Sequence, residues 1–353
     1  MRAFEYISPS RLSLYKKDKE EFYLRYLSNA RGRDEPQTAP MAAGSSFDAY
    51  CKAFLHERLF GRGHDPRFEF EALFEAQVES HQRDISRDVG KYLFTRYRES
   101  GALNNLLLDM QEAVNEPRFE VEVRGVIGGR REGVMQSISG VTFLGKPDVF
   151  YINQFGASVI VDWKVNGYYS KRKIYPMRGY LRHYVPAITG EVINDPFNQK
   201  HVYQFHDKGR HKECYAGVFN GTIINLSLFL EDMNDDWATQ LSVYSWLCGT
   251  QVGDQFIVGI DQICCAPIED SLYPEVSFAE HRLRVRTEYQ HSIWALAQEI
   301  WQQCNGDHFF KELSKEESQA RCQILDERAK QLFPEDDDFG KAFMEMTKVR
   351  RAF

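Results

Sequence analysis

The chain has 353 residues, enough for one large domain or two small ones. Its 43% apolar and 27% charged residues exclude a disordered or low-complexity protein. A formal net charge of −7 argues against non-specific coating of nucleic acid. It leaves open a local site where acids hold metal ions beside a phosphate. Seven cysteines, an odd count with no CxxC pair, argue against a disulfide framework or a four-thiolate zinc site. The N-terminus lacks the apolar core of a secretory signal (about 7–15 residues). No run approaches the roughly 18 apolar residues of a membrane helix. The expected setting is cytoplasmic and reducing, with no membrane partner.

In chain order, Ser8-Pro9 reads as the N-cap and first turn of a helix through residues 8–30, with Phe22, Tyr23, Tyr26 and Leu27 at helical spacing. A link from Asp34 to Pro40 follows. A second helix is expected from about Gly44 to Leu59, and residues 68–115 read as helical throughout. Near Pro117 the pattern changes. Phe119, Val121 and Val123 alternate with Glu120, Glu122 and Arg124, which is strand periodicity. Gly128-Gly129 signals a turn. Strands are expected over Val141–Tyr151 and Ala157–Val165, joined by a hairpin turn at Asn153 to Gly156. Short strands are expected around Val202–Phe205, Tyr215–Phe219 and Ile223–Leu230. A helix over Asp236–Leu247, strands over Phe256–Cys264 and Val276–Val285, and helices over 287–304 and 315–332 complete the chain. This order implies one α/β domain over 1–353. Its parts are N-terminal helices (1–116), a sheet (117–165), a β-rich insert (166–236) and a C-terminal helix and strand part (237–353).

Within the strand Ser158-Val-Ile-Val-Asp-Trp-Lys164, Asp162 and Lys164 share one face while Val159, Val161 and Trp163 share the other. Asp148 lies on the preceding strand, and antiparallel pairing can bring the two carboxylates together. Converging hard oxygens on a rigid scaffold suit a divalent cation that polarises a phosphate and activates water, with Lys164 beside it. The plainer alternative makes Asp148 and Asp162 strand-end acids and Lys164 their ion-pair partner. A charged pair in a Val-Ile-Val context is costly without a partner, which favours a functional role.

These residues resemble the PD-(D/E)XK nuclease superfamily, and within it the RecB-like branch. Pro147-Asp148 stands at the second motif and Asp162-Trp163-Lys164 at the third. Ser8 to Tyr26 is similar to the branch's N-terminal helix. Gly44-Ser-Ser-Phe-Asp48 stands where the family has Gly and, four residues on, His. Gln240-Leu-Ser-Val-Tyr244 matches the QxxxY helix. The resemblance implies a restriction-endonuclease-like α/β core, a central mixed β-sheet flanked by helices. It implies that Asp148, Asp162 and the Trp163 carbonyl bind metal, that Lys164 acts on the attacking water, and that Gln240 and Tyr244 line the site and touch DNA.

Three features depart from the family pattern. Asp48 replaces the family His. It can still ligate Mg²⁺ or Mn²⁺, or it can be a helix N-terminal acid that the dipole favours. The late cysteines Cys304 and Cys322 are too widely spaced for the iron–sulfur cluster of some members, and buried structural thiols fit better. The long connection between Lys164 and Gln240 opens on Lys171, Arg172, Lys173, Arg178 and Arg182 interleaved with Tyr168, Tyr169, Tyr175, Tyr180 and Tyr184, without an acid. Cations and rings in alternation suit single-stranded nucleic acid, or else form a solvated basic loop. His201, His206, His211 and Cys214 fit no established zinc spacing, and Asp207 to Gly209 reads as a turn. Gly140 to Lys146 imitates a phosphate-binding loop, but Pro147 stands at the Ser/Thr position and a strand follows, so an ATPase is rejected. Glu335 to Asp338 reads as an acidic loop, and Lys348, Arg350 and Arg351 as a basic tail.

The expectation is a Mg²⁺- or Mn²⁺-dependent DNA nuclease, more exonucleolytic than sequence-specific, since no recognition module is evident. Its partner is DNA, as single strands or duplex ends, in repair, recombination or phage DNA processing, alongside recombination or replication proteins. The alternative is a catalytically silent DNA-binding or scaffold protein on the same fold. Oligomeric state, polarity and DNA against RNA are left open.

Overall fold

The computed structural model describes residues 4–28, 36–119, 123–127, 140–183, 203–206, 216–269, 271, 273–306 and 308–332. The chain divides into two compact units, Pro36–Trp294, and Met1–Glu35 with Ala295–Phe353. No helix of the described residues is long and apolar enough to cross a membrane.

The N-terminal helical stretch is two helices, α1 (Pro9–Lys17) and α2 (Lys19–Tyr26), rather than one. Asp18 is extended between them and ends α1, and its carboxylate caps α2 by accepting from Glu21 N at 2.9 Å.

In the larger unit, α3 (Ala39–Phe60) begins five residues before the expected Gly44. Pro40, which the sequence places in the link, sits in its first turn, where a missing N–H costs nothing. The stretch 68–115 divides into α4 (Phe70–Gln77), α5 (Arg83–Glu99) and α6 (Ala102–Gln111). Val78 is extended and Gly101 is left-handed, and each breaks the helical path. There follow β1 (Arg118–Phe119), β2 (Val123–Ile127), β3 (Val141–Gly145), β4 (Val149–Ile152) and β5 (Ser158–Asn166). Then come β6 (Tyr180–His183), β7 (Tyr203–His206), β8 (Ala216–Phe219), β9 (Thr222–Asn225), α7 (Leu230–Met233), α8 (Asp235–Leu247), β10 (Ile257–Ala266) and β11 (Glu275–Leu283).

The main sheet has the order β1-β4-β5-β10-β11-β6-β7. It is mixed: β5 and β10 run parallel and the other pairs antiparallel. A parallel neighbour needs a crossover, and that connection carries α8. Val159, Val161 and Trp163 of β5 pack in one core with Phe47 of α3, Leu93 of α5 and Leu106 of α6. Ile160 packs in a second core with Leu241 and Tyr244 of α8. Helices therefore flank both faces, and the two-residue alternation of β5 decides what each face meets.

Two of the expected strands also need correction. Val141–Tyr151 is not one strand. It breaks at Lys146-Pro147-Asp148, so that β3 pairs with β2 in a separate sheet while β4 pairs with β5. Pro147 supplies no N–H to a ladder and restricts Lys146 before it. Ile223–Leu230 is not all strand, because β9 ends at Asn225 and Leu230 opens α7; the Asn225 side chain accepts from Ser227 N and Leu228 N and turns the chain. In the insert, β6 falls within the basic, tyrosine-rich stretch; it joins the main sheet through β11 and carries β7 at the edge. Gly140 to Gly145 holds β3, and the next element is strand β4 rather than a helix.

Helices α9 (Thr287–Asn305) and α10 (Lys315–Leu332) follow, the first contributing to both units. In the smaller unit Phe22 and Tyr23 pack on Phe309, at centroid distances of 6.1 and 5.6 Å. The turn at Gly128-Gly129, Tyr184, His201, Asp207 to Gly209, His211, Cys214, Glu335 to Asp338, and Lys348, Arg350 and Arg351 lie outside the described residues.

Candidate active site

The hairpin between β4 and β5 sets the geometry. Its turn is closed by Asn153 N donating to Ala157 O at 2.9 Å, with the Asn153 side-chain oxygen accepting from Phe155 N and Ala157 N. The register pairs Val149 with Val161, so Asp148, one step further, stands opposite Asp162. The Asp148 carboxylate takes over the ladder there, accepting from Trp163 N at 3.3 Å.

Asp162 is buried, at 2% exposure, and Lys164 reaches its Oδ2 at 2.5 Å. Burial holds the Asp162 carboxyl well above the usual carboxylate range; the Lys164 ammonium opposes the shift and nearby Asp148 adds to it. Burial works against the charge on Lys164, yet the pair with Asp162 outweighs it and holds the ammonium above its usual value. From α8, Gln240 Oε1 accepts from Lys164 Nζ at 2.9 Å, and Gln240 Nε2 donates to Asp162 at 3.4 Å and to Tyr244 OH at 3.1 Å. Spacing i, i+4 puts Gln240 and Tyr244 on one helix face, and that face meets the polar face of β5. The approach of α8 depends on Gly145. A Cβ there would stand 2.7 Å from the Tyr244 ring and 2.8 Å from Leu247.

Asp48, on α3, lies near Asp148 through a residue that the motif reading passed over. Lys52, only 2% exposed, places its ammonium 2.6 Å from Asp48 Oδ2 and 3.2 Å from Asp148 Oδ1. A cavity of about 350 Å³ opens beside them, lined by Gly44, Asp48, Lys52, Lys146, Asp148 and Trp163. The sequence carried a signal for Lys52, a cation four residues after Asp48 inside the apolar run Ala49 to Leu55.

Trp163 is held from the other side. Its indole N–H donates to Tyr97 OH at 3.3 Å, the Tyr97 hydroxyl donates to Asp261 Oδ2, and Arg282 meets Asp261 Oδ1 at 2.7 Å. Asp261 is the register partner of Trp163 on β10. Burial and the Asp261 charge push the Tyr97 phenol up, so it stays a donor. Sequence reasoning missed this chain as well. Its only sign is an Asp-Gln pair inside the otherwise apolar Ile257–Ala266.

The basic segment after β5 is tied to the end of β10: Ile174 N donates to Cys265 O at 3.0 Å and Met177 N to Gln262 Oε1 at 2.9 Å. Gln262 is the register partner of Lys164, so this segment runs beside the site. Lys171, Arg172 and Lys173 are exposed, and Tyr175 is 61% exposed. Arg178 is also exposed but donates to Asp232 O at 2.7 Å. Arg182 lies on β6, and its side chain is outside the described residues.

Asp48, Asp148, Asp162 and the Trp163 carbonyl are hard oxygen donors of the kind Mg²⁺ or Mn²⁺ takes. Two ammonium groups already lie against these carboxylates, so cations are at home there. Among the described residues, no three His, Cys, Asp or Glu side chains form a ready cage. Asp148 and Asp162 stand together, and Lys52 engages both Asp48 and Asp148.

A family model of the PD-(D/E)XK nuclease superfamily matches residues 6–183, half of the chain, including Asp48, Asp148 and Asp162 to Lys164. The chain belongs to the PD-(D/E)XK nuclease superfamily. Among solved structures, the crystal structure of SSO0001 aligns at 13% identity over 82% of this chain and 84% of that one, with a TM-score of 0.25. None of the curated proteins compared with the chain matches it.

Proposed function

We propose that this protein is a divalent-metal-dependent deoxyribonuclease of the RecB-like branch, degrading DNA from an end. The observation that carries this reading is the convergence of Asp148 and Asp162 across the β4–β5 hairpin, with the Lys164 ammonium shared between Asp162 and Gln240. Asp148, Asp162 and the Trp163 carbonyl would hold Mg²⁺ or Mn²⁺, and Asp48 would join them once it leaves Lys52. A divalent ion there supplies acidification of water and neutralisation of phosphate charge. Lys164 orients the attacking water and offsets charge developing on the phosphate. Gln240 fixes the Lys164 ammonium, and the Tyr244 hydroxyl fixes Gln240. Lys171, Arg172, Lys173, Arg178 and Arg182, with the exposed rings of Tyr169 and Tyr175, would guide the DNA strand. The biological context would be repair, recombination or phage DNA processing.

A silent DNA-binding scaffold has one observation in its favour, the occupation of the carboxylates by Lys52 and Lys164. Asp162→Ala separates the readings. The nuclease reading expects cleavage of end-labelled DNA with Mg²⁺ or Mn²⁺ in the wild type, and its loss in the variant with binding retained. Wild-type binding without cleavage under either metal favours the scaffold, and cleavage that survives Asp162→Ala removes the site assignment. Cutting of a closed circle would overturn action from an end.

A further inference from the structure

We propose that Lys52 is an internal cation that competes with a divalent metal for Asp48 and Asp148, so that metal binding exchanges one cation for another. This rests on the metal-dependent reading above. Lys52 lies in the middle of α3, and its neighbours Phe47, Cys51 and Leu55 are fully buried in the core. A lysine at 2% exposure costs several kcal/mol unless its charge is matched. Asp48 and Asp148 match it, from α3 itself and from the chain just before β4. The same two carboxylates would be drawn to a metal, and repulsion between an ammonium and a divalent ion within one cluster is large. The helix is fixed by its core, but the four-carbon stem of lysine is flexible. The cavity of about 350 Å³ beside Lys52 and both carboxylates leaves room for an ion with several waters and for the displaced ammonium. Ion and lysine thus draw on the same oxygens. In the metal-free chain the lysine keeps Asp48 and Asp148 together; in the loaded chain it must yield at least Asp48.

The test uses the full chain and Mn²⁺ alone, with no nucleic acid and no activity readout. Binding is titrated by calorimetry, and thermal unfolding is followed in chelator and in Mn²⁺. Lys52→Gln keeps an N–H donor and removes the charge, while Lys52→Arg keeps the charge. Lys52→Gln should bind Mn²⁺ on the order of tenfold tighter than the wild type, or more. In chelator it should melt at a lower temperature than the wild type, and Mn²⁺ should raise its melting temperature further. Lys52→Arg should bind as weakly as the wild type. Should a folded Lys52→Gln chain bind no tighter than the wild type, or should Lys52→Arg tighten binding equally, competition by the ammonium is wrong while the metal site stands. Absence of Mn²⁺ binding in wild type and variants alike would remove the metal-dependent reading itself, and this proposal with it.

Discussion

Removal of the Tyr97 hydroxyl tests whether the polar chain beneath Trp163 supports the site. Tyr97→Phe keeps the ring, which packs fully buried against Phe47 at 5.6 Å between centroids. It deletes the donor to the Asp261 carboxylate and the acceptor for the Trp163 indole N–H. Asp261 and Tyr97 are at most 2% exposed, so water cannot replace either bond. A hydrogen bond to a buried charge is worth about 1.5–3 kcal/mol and a neutral one about 1 kcal/mol, so the expected loss is about 3 kcal/mol. The control is Tyr92→Phe, which removes a half-buried hydroxyl that donates to Pro274 O at 2.6 Å and should cost about 1 kcal/mol. Arg282→Met, which leaves Asp261 without its cation, should cost more than either, about 3–5 kcal/mol. Urea unfolding in chelator measures all three. Because Trp163 joins Asp162 to Lys164, Tyr97→Phe should also slow DNA cleavage with little change in DNA affinity. A Tyr97→Phe chain within about 0.5 kcal/mol of the wild type would refute the support argument.

His281 gives a pH signature. Burial, and next the Arg282 charge, lower its pKa to about 3, against about 6.5 in the unfolded chain. Between those values the unfolded chain binds a proton that the folded chain refuses, so stability falls as pH drops through 6.5, by up to about 1.4 kcal/mol per pH unit. His281→Gln should flatten that slope in urea titrations, and an unchanged slope between about pH 6 and 5 would contradict it. Gly145→Val should push Tyr244 and Leu247 of α8 away from the sheet. It should cost about 1–3 kcal/mol and reduce cleavage by disturbing the contact of Gln240 with Lys164; wild-type stability would show that α8 yields freely. Replacing Lys171, Arg172 and Lys173 together by Ala should weaken single-stranded DNA binding and lower the slope of log K against log salt by about 2. An unchanged slope would place the DNA elsewhere.

Much of the site is legible in the amino-acid sequence. Asp162 and Lys164 share a face because strand side chains alternate, and the register of a tight hairpin brings Asp148 opposite Asp162. Gln240 and Tyr244 share a helix face for an equally local reason, the i, i+4 spacing. What local pattern could not decide was where chains distant in sequence meet. Val141–Tyr151 reads as one strand, with Val141, Phe143, Val149 and Tyr151 apolar at alternate positions, yet Pro147 sends its two halves into different sheets. Tyr180 to His183 shows only a basic, tyrosine-rich composition and no strand periodicity, yet β11 of the main sheet is available to pair with it.

The sequence by itself determined the two faces of β5, the pairing of β4 with β5, and the orientation of α8 residues, since each follows from backbone periodicity over a few residues. Tertiary structure alone decided that Lys52, the i, i+4 neighbour of Asp48, also reaches Asp148, and that Tyr97, Asp261 and Arg282 hold Trp163. A buried charge takes its role from its partners. Asp148 lies 96 residues from Lys52 and Asp261 lies 164 from Tyr97, and the packing of helices on a sheet brings each pair together.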